Sequence, residues 1–103
     1  MDKGEAEEIL ARIRRDEQPL LRDPHFWRRT EERQYTLQDV YNVLNFGTLD
    51  GGPRYDPKYR NHVIRIRGRS CDGRDTRIAI SLYRVGPCWL LSIVDVKHKG
   101  NTR

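Results

Sequence analysis

The spacing of apolar residues changes once along this chain, and that change limits the fold more than any other feature. Up to residue 47 they recur at helical spacing. Ala6, Ile9, Leu10 and Ile13 make one stripe, and Leu37, Val40, Tyr41 and Leu44 make another. From residue 62 onward they alternate. Ile64 and Ile66 oppose Val63, Arg65 and Arg67, and Ile78, Ile80 and Leu82 oppose Ala79, Ser81 and Tyr83. Residues 88–96 form a nearly continuous apolar run, the pattern of a central strand. The expected class is α+β: N-terminal helices followed by a three- to four-stranded antiparallel β-meander, with the helices packed on one face.

The residues between these segments fit that order. Asp23-Pro24 supplies an N-cap and a first-turn proline for a second helix running to about Gln34. Thr36 and Asp39 have the spacing of a capping box. Gly47 is placed to end the third helix in the left-handed conformation. Residues 48–60, with two Gly and two Pro, read as a long loop with room for one short strand. Asp72-Gly73 and Gly86-Pro87 mark turns between strands. Trp27 and Trp89 read as core. The expected layout is a helical arm at 1–18 that packs on an edge or a partner, one α+β domain at 19–97 and a polar tail at 98–103.

With 103 residues there is room for one core. Cys71 and Cys88 are too few for a disulfide scaffold and lack zinc-site spacing, so free buried thiols are expected, with one disulfide as the alternative. Residues 1–15 are too charged for a secretion signal, and no apolar run is long enough to cross a bilayer. The expected compartment is the cytoplasm, with no membrane partner.

Charge points toward a class of partner. Lys and Arg number 20 against 15 Asp and Glu, a net +5, and arginine dominates from residue 54 to 84. Guanidinium forks suit phosphate, so a polyanion is a natural partner, although many soluble domains are basic without one. Three constellations carry chemistry. His25, Arg29 and Arg33 stand at i, i+4 and i+8, so a helix puts them on one face. There histidine can serve as general acid or base and arginine can stabilise charge on phosphorus. The competing reading is a solvated face paired with Glu31, Glu32 and Asp39. Arg65, Arg67, Arg77 and Tyr83 belong to the sheet face away from the helices, which suits phosphate contacts and base stacking or is simply solvated. Arg54, Tyr55, Lys58 and Tyr59 interleave rings and cations in the loop, as single-strand binders do, or cover a core edge. There is no HExxH, CxxC pair, P-loop, dinucleotide glycine motif or nucleophile elbow. No metal and no cofactor is expected.

The stretch HFWRRTEERQYTLQDVYNVLNFG, His25–Gly47, resembles the start of the bacterial family called domain of unknown function 4258. The matching positions are His25, Arg29, Glu32-Arg33, Asp39-Val40, Val43-Leu44 and Gly47. HVIRIRG, CDGRDTRIAISLY and LLSIVDV then follow the family's order of two strands around a "dG" turn and a final apolar strand. The resemblance covers about residues 23–96. It departs at Gln34-Tyr35, where the family often has Gly, and in the helix at 4–15, which is an addition. It implies the small toxin-like fold of RelE-type and colicin-type ribonucleases, with His25, Arg29 and Arg33 as catalytic residues. The resulting expectation is a small RNA-directed protein, a metal-independent toxin-like ribonuclease, with RNA and an antitoxin-like or other protein as partners. The alternative is a non-catalytic module that binds nucleic acid or protein.

Overall fold

In the computed structural model, which describes residues 1–96, three helices start by one device: a short polar side chain accepts the backbone N–H three residues on. Asp2 accepts from Glu5 to open α1 (Lys3–Arg14), and Asp23 accepts from Phe26 to open α2 (Pro24–Glu32), each at 2.8 Å. Thr36 opens α3 (Leu37–Phe46) with a complete capping box, as the Thr36 N–H is bound in turn by Asp39.

The strands are β1 (Leu20–Arg22), β2 (Thr48–Leu49), β3 (Arg54–Asp56), β4 (Asn61–Arg69), β5 (Asp75–Ser81) and β6 (Cys88–Asp95). They form one sheet in the order β1-β6-β5-β4-β2, with β3 also on β4. β2 pairs with the end of β4 and β3 with its start, so the two share one edge. The fold is α+β, and β4, β5 and β6 pair antiparallel in chain order. Two details differ from the expectation. β1 falls between α1 and α2, so the helices are not an unbroken block, and it pairs with β6 in parallel, Leu20 with Cys88 and Arg22 with Leu90. The 48–60 segment supplies two strands, giving six among the described residues.

One face of the sheet carries the core. Ile64, Ile66, Ile78, Ile80, Leu90 and Ile93 pack there against Val40, Val43 and Leu44 of α3 and Phe26 of α2. Ala6, Ile9, Leu10 and Ile13 of α1 lie in the same cluster. Arg14 of α1 donates to the carbonyls of Leu44 and Gly47 at 2.8 and 2.7 Å, closing the C-terminal end of α3. Buried Gln18 donates to the carbonyls of Tyr83 and Gly86. α1 is thus tied to the rest of the fold at its C-terminal end, and Glu5 near its start pairs with Arg84.

Gly47 is extended, at φ −78° and ψ 176°, rather than left-handed. Its need for glycine comes from crowding. A Cβ there would stand 2.6 Å from the Val43 oxygen and 2.7 Å from the Arg67 oxygen, because α3 runs directly onto β4. Gly73 does take the positive φ, +86°, that its hairpin requires.

The turn from α2 to α3 is fastened to the β4–β5 hairpin by a polar cluster. The Tyr35 hydroxyl meets the Thr76 hydroxyl at 3.0 Å and donates to Asp95. Arg74 lies 3.9 Å over the Tyr35 ring and donates to the Gln34 carbonyl at 2.8 Å. Asp39, beyond its cap, accepts from the Cys71 N–H at 2.8 Å. Both cysteines are free: Cys88 is buried as expected, whereas Cys71 is exposed on the hairpin. The tail expected at 98–103, with His98, lies outside the described residues. No helix among those described is long and apolar enough to cross a membrane.

Candidate functional site

β6 carries a bulge, and the candidate site forms around it. Ala79 pairs with Ser92 and Ile80 with Leu90, leaving Leu91 without a partner on β5. Leu90 and Ile93 keep their places in the core. The extra residue lets Leu91 and Ser92 line the same cavity on the face away from the core.

Three bays adjoin Leu91, and the ring of Tyr59 borders all three. Tyr59 reaches them because Pro57–Arg60 folds back tightly between β3 and β4: the Asp56 carboxylate accepts from the Lys58 N–H, and its carbonyl accepts from the Tyr59 N–H. The first bay, about 290 Å³, is lined by His25, Arg29, Lys58 and Asp23. The second, about 190 Å³, lies among Asp23, Tyr59, Tyr83, Trp89 and Ser81. The third, about 250 Å³, runs over the sheet between Arg65 and Arg77, floored by Val63, Ala79 and Val94.

The catalytic trio expected from the sequence is divided. His25 and Arg29 share a bay, but Arg33 is the C-cap of α2 and donates to the Ile93 carbonyl at 2.9 Å. It serves the backbone of β6, beyond the point where β1 stops pairing with it. The basic sheet face is divided too. Arg67 forms a two-pronged pair with Asp75, and Arg77 stands 3.6 Å from Asp50. Arg65 and Arg29 make no side-chain hydrogen bond or ion pair among the described residues. In the loop, Lys58 and Tyr59 join the bays, with the Lys58 ammonium 5.3 Å from the Tyr59 ring centre. Tyr55 lies apart, edge-on to His62 on β3 and β4, beside exposed Arg54.

Three residues at the site went unread in the sequence. Trp89, expected in the core, lines the outer bay beside Tyr83. Its alternation with buried Cys88 and Leu90 is the signal that places it there. Asp23 was legible only as a cap. Leu91 gave no signal, since a bulge inside a continuous apolar run leaves the composition unchanged.

The titrations that stand out lie on the other side of the sheet. Burial, followed by the hydrogen bond to the Asp95 carboxylate, pushes the Tyr35 phenol up to about 12. Burial also works against the charged form of Asp39, but hydrogen bonds from Thr36 and Cys71 outweigh it and hold the carboxyl below its ordinary value.

Comparison with known protein families, curated proteins and solved structures finds no match to this chain.

Proposed function

We propose that the protein binds single-stranded RNA along the three bays of its outer sheet face. The observation that carries this reading is that Tyr59 and Leu91 border all three bays, which brings the bay of His25, Arg29 and Lys58 against the bay of Arg65 and Arg77. Rings set between cations suit an unpaired strand: guanidinium and ammonium groups hold phosphates, and Tyr59, Tyr83 and Trp89 offer faces for bases. No two of these three rings stack on each other in the described structure.

A second reading, a metal-independent ribonuclease, is favoured by His25 and Arg29 sharing one bay. His25 would take the proton of the RNA 2′-hydroxyl as that oxygen attacks phosphorus, Arg29 would stabilise the pentavalent state, and the P–O5′ bond would break to leave a 2′,3′-cyclic phosphate and a 5′-hydroxyl protonated from water. The resemblance to domain of unknown function 4258 supports an RNA-directed role, although Arg33 is occupied by the backbone.

One experiment separates the readings. Labelled single-stranded RNA is titrated with protein in EDTA over a salt series, followed by anisotropy and gel. Three phosphate contacts, from Arg29, Lys58 and Arg65, give a slope of log K against log salt of about −2. Intact RNA bound with that slope supports the module. Cleavage that His25→Ala abolishes makes the protein a ribonuclease. Undetectable binding at low salt ends both readings.

A further inference from the structure

The second bay differs from the other two. It is the smallest of the three, with Tyr59, Tyr83 and Trp89 around it, Ser81 on its wall, and Asp23 as its one charged group. The other two bays are each bordered by two or more cations beside one carboxylate, Asp23 again in the first and Asp56 in the third. Phosphates of a bound strand are thus served by the first and third bays, while the second offers rings and a carboxylate without a cation. A carboxylate repels phosphate but accepts hydrogen bonds, so what belongs beside it is a flat, uncharged group that offers donors.

We infer that the second bay is a nucleobase pocket selective for guanine, read by the Asp23 carboxylate. The inference rests on the RNA-binding reading above and gives it a substrate. Guanine is the one common base with two adjacent donors, N1–H and the exocyclic N2 amine, on its Watson–Crick edge. A carboxylate answers that pair with its two oxygens, while the base plane lies against the rings. Uracil presents its single N3–H between two carbonyl oxygens, which the carboxylate repels. Adenine and cytosine each place an acceptor nitrogen beside their amine.

Asp23 is suited to a second task beyond capping. It takes the Phe26 N–H on Oδ1 at 2.8 Å, and a carboxylate has about four lone-pair positions, so acceptor capacity remains. The cap itself fixes the carboxylate at the end of β1, where the chain turns into α2. The tyrosines and tryptophan come from three separate segments, the β3–β4 turn, the β5–β6 loop and β6, so no single local motif in the sequence assembles the slot.

The test is competition among three labelled RNA hexamers at low salt: all uridine, the same with one guanosine at the third position, and the same with inosine there, which keeps N1–H and lacks the amine. The full chain is used beside Asp23→Asn. Asparagine caps helices as well as aspartate, so the variant keeps α2. The native chain is expected to bind the guanosine hexamer about tenfold tighter than the uridine hexamer, with inosine between them. Asp23→Asn is expected to bind all three alike. Equal, salt-sensitive binding of guanosine and uridine hexamers by the native chain overturns guanine selection and leaves RNA binding standing. A preference that survives in Asp23→Asn overturns the role of Asp23. No binding of any hexamer removes the RNA-binding reading and this pocket with it.

Discussion

The two faces of the sheet use the same kinds of residue to opposite ends. On the helix side, three arginines hold the fold together. Arg14 closes α3, Arg33 holds the β6 backbone, and Arg74 joins the α2–α3 turn to the hairpin. On the outer side, Arg29 and Arg65 border open bays and hold nothing among the described residues. Tyr35 spends its hydroxyl on Thr76 and Asp95, whereas Tyr59 spans three cavities. Net charge therefore says little about binding until each cation's partner is known. A guanidinium bonded to a carbonyl is architecture, and one facing an open bay is a site.

The sharpest test of that contrast exchanges one residue on each face. Ile80→Ala opens the core at a fully buried position and should cost about 2–5 kcal/mol in urea unfolding. Trp89→Ala, on the next strand but facing outward, should cost much less and weaken RNA binding by one stacking contact, on the order of 1–3 kcal/mol. If Trp89→Ala unfolds the protein as Ile80→Ala does, the outer face is core after all.

Smaller effects belong to the polar cluster on the helix side, and pH reads them. The Asp39 carboxyl is depressed in the fold, so its contribution is present above its unfolded value of about 4 and is lost as pH falls through the folded one. The Tyr35 phenol is raised, so its contribution is present below about 10 and is lost as pH climbs toward about 12. Urea midpoints should fall at both ends. Asp39→Asn should flatten the acid limb and Tyr35→Phe the alkaline one. Neither should alter RNA affinity at neutral pH, and a change there would mean the two faces are coupled.

The smallest expected difference lies between neighbouring arginines on β4. Arg65→Ala should reduce the salt slope of RNA binding by about 0.7. Arg67→Ala, which breaks a half-exposed pair with Asp75, should leave the slope nearly intact and cost at most about 1 kcal/mol of stability. Equal slopes for the two variants would count against sorting cations by their partners.

Much of the α+β layout was legible in the sequence because periodicity and caps are local signals. The caps made by Asp23, Thr36 and Asp39 and the Asp72-Gly73 turn act within a few residues of themselves, and each appears where its chemistry requires. β1 was not legible. Three residues, Leu20–Arg22, are too few to show a period, and their strand character comes from pairing with the far end of the chain. The site was half legible for the same reason. Helical spacing put His25 and Arg29 together, but the fate of Arg33 was decided by a carbonyl on β6. Gly47 was correctly read as an element boundary, yet the reason lies in how closely β4 approaches it.

The pairing of β1 with β6 also sets a timetable. During synthesis, Leu20–Arg22 are made long before Cys88–Leu90, their one sheet neighbour among the described residues. At ordinary elongation rates the wait is roughly 3–14 s. For that interval the early helices have no completed sheet on which to bury their apolar sides. The apolar sides of the early helices thus gain the last part of their sheet only once residues 88–90 have been made.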